Sequence, residues 1–110
     1  MAIFKSTPSV RIINGYEIKT SDSIILTNSE YKTNGEYTII VKGVESCNLF
    51  LDSKTTDHVV VKCLTHVLVT ADSKIDEEYD EIELENGSCV EFKKVGEYWY
   101  ILSSDGLKNS

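Results

Sequence analysis

Residues 79–106 read YDEIELENGSCVEFKKVGEYWYILSSDG, and this stretch decides the fold class. Ile82 and Leu84 alternate with Glu81, Glu83 and Glu85. Side chains along a strand point to opposite faces in turn, so this spacing sets aliphatic groups on one face and carboxylates on the other. Asn86-Gly87 then supplies the dipeptide that accepts positive φ at both central positions of a two-residue turn, which predicts a tight hairpin. Apolar alternation resumes at Val90 and Phe92, and a second turn at Gly96-Glu97 leads into an aromatic strand from Tyr98 to Leu102. The reading is an all-β chain.

Working outward from this block, short runs rich in Val, Ile, Thr and Tyr continue the pattern. Strands are predicted at Val10–Ile13, Tyr16–Lys19, Ser23–Thr27, Glu36–Lys42, Asn48–Asp52, His58–Cys63 and His66–Thr70. Asn14-Gly15, Asn34-Gly35 and the isolated Gly43 and Gly106 punctuate them. The only 3.6-residue signal is a helical turn around Lys74–Tyr79. Residues 1–9 hold the single proline and little periodicity, and read as an extended N-terminal arm. The organisation is therefore an arm over 1–9, one small β-domain over 10–104, and a flexible tail over 105–110.

One internal similarity stands out. YTIIVKGVESCNLFLDSK, residues 37–54, aligns without gaps to DHVVVKCLTHVLVTADSK, residues 57–74, at an offset of 20. A period near 20 is that of a β-solenoid coil, although such stacks usually need about three repeats to bury a continuous core. The alternative is a shared strand-turn-strand grammar. The apolar runs His58–Val61 and Val67–Val69 also point to strands covered on both faces, inside a sandwich or between subunits.

Composition bounds the function. The chain has 110 residues, near the commonest domain size, and 11 cationic against 18 anionic side chains, a formal net charge of -7. A phosphate-binding protein needs a basic face, so nucleic acid is not an expected partner, and an anionic membrane surface is disfavoured for the same reason. No window approaches the roughly 20 apolar residues of a membrane span. The N-terminus lacks the apolar core of a signal peptide, which predicts a soluble protein made in a reducing compartment. Cys47, Cys63 and Cys89 are odd in number and widely spaced, and read as buried free thiols.

Candidate chemistry is sparse. Asp76, Glu77, Glu78, Asp80, Glu81, Glu83 and Glu85 form the densest acidic stretch, but it lacks the loop pattern of a calcium site and reads as a solvated face. His58 and His66 lie on separate predicted strands, and two histidines without a third ligand do not make a zinc site. Cys63 has apolar neighbours that raise rather than lower a thiol pKa, so no nucleophile is expected. No enzyme activity, metal or cofactor is predicted. Tyr98, Trp99 and Tyr100 are the best recognition candidates, because flat aromatic faces bind sugars and interface hot spots enrich Trp and Tyr. Alternation puts Tyr98 and Tyr100 on one face and Trp99 with Ile101 on the other, so at least one face packs on the core or on a neighbouring subunit.

Ile82-Glu83-Leu84, Ser88-Cys89-Val90-Glu91-Phe92 and Gly96-Glu97-Tyr98-Trp99-Tyr100-Ile101-Leu102-Ser103 resemble the endings of small β-structured phage virion proteins: head fibres, capsid-decoration modules and tail-fibre tips. The earlier cadence of Ser23-Ile24-Ile25-Leu26, Glu36-Tyr37-Thr38-Ile39 and Lys74-Ile75-Asp76 is similar to theirs too, so the resemblance spans about residues 22–106. It implies a non-enzymatic structural subunit on the virion surface, made in the host cytoplasm. A sandwich-like or intertwined trimeric β-module is the implied form, its partners being two further copies, a capsid or appendage protein, and a host-surface glycan. The arm would dock on the particle, with Ile3, Phe4 and Lys5 as the candidate attachment. The alternative expectation is a monomeric carbohydrate-binding β-sandwich with an exposed platform at Trp99.

Overall fold

The structure, a computed structural model, describes the backbone of residues 10–13, 16–19 and 23–105 and the side chains of residues 23–104. Every regular element among them is a strand. β1 (Val10–Ile13) and β2 (Tyr16–Lys19) pair antiparallel as a separate ribbon. The remaining nine are β3 (Ser23–Leu26), β4 (Glu30–Lys32), β5 (Thr38–Val41), β6 (Ser46–Leu51), β7 (His58–Cys63), β8 (His66–Ile75), β9 (Tyr79–Leu84), β10 (Cys89–Val95) and β11 (Tyr98–Asp105). The proposed arm over 1–9, with Ile3, Phe4 and Lys5, lies outside the described residues, as does the tail beyond Asp105.

Strands that follow one another in sequence fall on opposite sides of the core. β3, β5 and β7 lie side by side and parallel, and so do β4, β6 and β8. The chain thus winds through three stacked coils, β3–β4, β5–β6 and β7–β8, which build two facing parallel sheets. After β8 the direction reverses. β9 runs antiparallel along β8, β10 runs antiparallel along β7, and β11 folds back on β10 as a hairpin. The two sides join where Trp99 of β11 pairs with Ile75 at the end of β8.

Strict alternation explains why this arrangement holds. β7 and the first half of β8 bury every second residue, and the register stacks those residues into ladders. On one side Ile24, Ile39, Val61 and Val90 are successive partners, with Leu26, Val41 and Cys63 beside them. On the other side Tyr31, Leu49, Val69 and Ile82 stack, flanked by Cys47, Val67 and Leu84. Most of these side chains form one buried cluster with Leu51, Val59, Ile75, Phe92 and Trp99. Each aliphatic group removed from water contributes roughly 1.5–3 kcal/mol, and the β-branched ones fit a pleated surface.

The 20-residue similarity is the coil itself. Ser46 pairs with His66, at the aligned offset of 20. On the other side Thr38 pairs with Val60, two residues further on, because the β7–β8 corner is two residues shorter than the β5–β6 corner. A shift of two keeps every side chain on its own face. The third coil, β3–β4, has no visible copy in the sequence: Glu30-Tyr31-Lys32 offers a single apolar residue, and it is strand because its backbone pairs with β6 and Tyr31 stacks on Leu49.

Two local expectations are corrected. Asn86-Gly87 is a tight turn, with Gly87 at φ 99° and the Ser88 N–H donating to the Glu85 carbonyl, but it does not close a hairpin. It carries the chain from one sheet to the other, since Leu84 and Val90 must both face the core between them. Lys74–Tyr79 is not helical. β8 continues to Ile75, and Asp76 and Glu77 then adopt left-handed φ of 56° and 63°, closed by the Glu78 N–H donating to the Ile75 carbonyl. The 58–61 and 67–69 runs are fully buried on one face, whereas Val60 and Leu68 on the other are only half-buried within this chain.

Candidate functional site

The aromatic strand divides as its alternation dictates. Trp99 is fully buried and donates its Nε1–H to Asp72 Oδ1 at 3.1 Å. Its indole therefore belongs to the core of this chain and offers no face to a ligand. Tyr98 and Tyr100 stay half-exposed on the other face, edge to face with centroids 6.5 Å apart, and the Tyr100 hydroxyl donates to Glu77 Oε2 at 2.7 Å. That bond to a carboxylate raises the Tyr100 phenol above its ordinary pKa.

Asp72 ties this strand to the coils. Its Oδ2 accepts from the Ser53 N–H (2.9 Å) and from Ser53 Oγ (2.6 Å), while Oδ1 takes the indole N–H. Partial burial opposes its charge, but the hydrogen bonds from Ser53 and Trp99 outweigh that and hold the carboxyl below the usual range. One coil earlier the same corner is bound by Thr33, whose Oγ1 accepts the Asp52 N–H and whose carbonyl accepts Thr55 Oγ. Beside it, Glu36 accepts from the Asn34 N–H and from the Tyr31 hydroxyl, and burial together with that carboxylate pushes the Tyr31 phenol up to about 12. The corner is a rail of side-chain hydrogen bonds running along the stack.

The acidic stretch is dispersed among separate partners. Asp80 meets Lys74 Nζ at 2.7 Å, Glu83 meets His66 at 2.6 Å, and Asp76 Oδ1 accepts the Ile101 N–H at 3.0 Å. Among the described residues no three of His, Cys, Asp and Glu converge as metal ligands. His58 and His66 stand on opposite sides of the core, His58 at 2.5 Å from Glu91. That contact, with the Ser103 hydroxyl, holds the Glu91 carboxyl below its usual range. Cys47 and Cys63 are buried thiols, and Cys89 is half-buried. Burial, reinforced by the neighbouring thiols, pushes Cys63 up to about 12, so it carries no nucleophilic thiolate near neutral pH.

Both outer faces carry residues that the sequence reading did not single out. On the β3–β5–β7 side, the register places Ile25 beside Ile40, with Val60 on the adjoining row, and Ile25 is 63% exposed. Tyr37 stands edge-on to His58 at the margin. On the β4–β6–β8 side, Phe50 lies in an open depression with Glu30, Lys32, Asn48 and Thr70. Strand alternation carried the signal for Phe50: in SCNLFL, Cys47, Leu49 and Leu51 point inward, which turns Asn48 and Phe50 out. No protein-family model matches this chain, and no curated protein sequence matches it.

Proposed function

We propose that this chain is a non-enzymatic structural subunit that self-associates, as a trimer, into a surface component of a virion of the head-fibre, decoration or appendage kind. The observation that carries the reading is the short aliphatic strip of Ile25 and Ile40, whose row ends at Lys62 with Val60 diagonal to Ile40, on the outside of a sheet already buried on its inner face. A parallel sheet is normally covered on both faces, and only one face is covered within the chain. Symmetric copies would cover the other and restrain the open edge of β3, which has no second partner strand among the described residues. The resemblance of residues 22–106 to small phage virion proteins gives the particle setting. A monomeric glycan module built on Trp99 is the weaker reading, because its platform is the core.

The test is the solution mass of the full-length chain by light scattering across a wide concentration range, beside Ile25→Glu and Ile40→Glu variants. A concentration-independent trimer that the glutamates dissociate, with circular dichroism unchanged, supports the proposal. A wild-type monomer, or a trimer indifferent to both substitutions, removes it.

A further inference from the structure

The face opposite the aliphatic strip has different chemistry. The register lays two rows across it: Glu30, Asn48, Leu68 and Glu83 in one, Lys32, Phe50, Thr70 and Glu81 in the other. Rows along a strand repeat about every 7 Å and strands lie about 4.8 Å apart, so Phe50 has Lys32 and Thr70 as side neighbours and Asn48 along its own strand. The Phe50 side chain is only partly buried and lines the open depression. Elsewhere on this surface Glu83 engages His66, Asp80 engages Lys74, Glu77 engages Tyr100 and Asp72 engages Ser53, while Glu81, beside Thr70, is exposed to solvent. The side chains of Glu30, Lys32, Asn48 and Thr70 have no hydrogen-bond or ion-pair partner among the described residues.

We propose that this depression binds a neutral saccharide, with one pyranose ring seated on Phe50. The C–H face of a pyranose carries slight positive charge and meets the negative face of an aromatic ring, while its equatorial hydroxyls project sideways. Asn48 supplies a donor and an acceptor for two adjacent hydroxyls, Lys32 donates, Glu30 accepts, and Thr70 does either. Lys32 and Glu30 cancel within the depression, and the exposed Glu81 on the far side of Thr70 adds negative charge that disfavours an anionic ligand. The depression is shallow and open, without the enclosed apolar volume that anchors a peptide side chain. This inference rests on the β4–β6–β8 face alone and is independent of the oligomeric state.

The test is an amide-resolved NMR titration of the full-length protein with maltotriose, chitotriose, lactose and mannotriose, with sialyllactose as the charged counterpart. The expected result is a shift of the amides at 30–32, 48–50 and 70 by at least one neutral sugar, with saturation transfer to its ring C–H protons. Phe50→Ala should weaken binding about tenfold or more, and Phe50→Leu, which keeps the apolar bulk but not the flat face, should weaken it nearly as much. Asn48→Ala should weaken it too, with the fold intact by circular dichroism. The proposal is overturned if none of the four neutral sugars moves these amides, if Phe50→Leu binds as well as wild type, or if only sialyllactose binds.

Discussion

Replacing Asp72 with Ala tests the corner rail directly. The substitution removes the acceptor of two Ser53 hydrogen bonds and of the Trp99 indole N–H. The Ser53 bonds are exposed, so water replaces most of what is lost there. The indole is different, because Trp99 is fully buried and an unpaired buried donor costs about 1–3 kcal/mol. The expected loss is therefore about 2 kcal/mol, and in a domain of this size that lowers Tm by roughly 8 °C. Urea unfolding followed by circular dichroism measures it, repeated in a Trp99→Phe background where no indole donor remains. There Asp72→Ala should lose most of its cost, about 1–2 kcal/mol, a coupling assigned to the indole bond. Equal costs in the two backgrounds, or a single-variant loss below about 0.5 kcal/mol, would refute the claim that Asp72 fastens the aromatic strand.

Three further outcomes are expected. Glu77 holds a left-handed φ of 63°, which costs a side-chain-bearing residue about 1 kcal/mol, so Glu77→Gly should raise the urea midpoint despite losing the exposed Tyr100 contact; a lower midpoint would show that contact to be the stronger effect. Cys63 titrates near 8.5 when unfolded and about 12 when folded, so its stabilisation is complete below pH 8.5 and falls by about 1.4 kcal/mol per pH unit above it, with Tyr31 adding to the decline from about pH 10. Under reducing conditions Cys63→Ala should flatten the slope that starts near pH 8.5, leaving the part due to Cys47, whose thiol pKa burial also raises, and a wild-type midpoint flat from there to pH 10 would contradict the assignment. Glu91 has a lowered pKa in the fold, so its contribution is present above the unfolded value near 4.3 and is lost on acidification. Glu91→Gln should flatten the acid limb of the stability profile, and an unchanged limb would exclude the His58–Glu91 contact as its source.

The all-β class was legible because it rests on alternation, a property of short windows. The strand runs around Val59–Val61, Val67–Val69 and Ile82–Leu84 could be read residue by residue, and even the 20-residue period was visible where β6 and β8 stack in register. Which strands pair was not legible. Asn86-Gly87 specifies a tight turn, and the same turn serves a hairpin or a corner; only the demand that Leu84 and Val90 share one core decides between them. β4 escaped notice because its strand character comes from pairing with β6, where Tyr31 meets Leu49, rather than from any pattern its three residues show alone. Similarly, Trp99 was readable as an important aromatic, but the partner that fixes it inside, Asp72, lies 27 positions away on another coil. The candidate faces depend on rows built across three coils, and a row is not a feature of any one segment.

The reversal of chain direction after β8 has a consequence for growth. A stack of parallel coils has no intrinsic length, since each rung presents the template for another of the same kind. By laying β9 and β10 down antiparallel, the chain writes a terminator: that end no longer displays the pattern from which it was built. Extension is thereby closed at that end, while a duplicated coil such as residues 46–65 would add one rung within the stack and leave both ends as they are. The molecule is a ruler whose length is a whole number of coils, set here at three by the number of windings before the turn back.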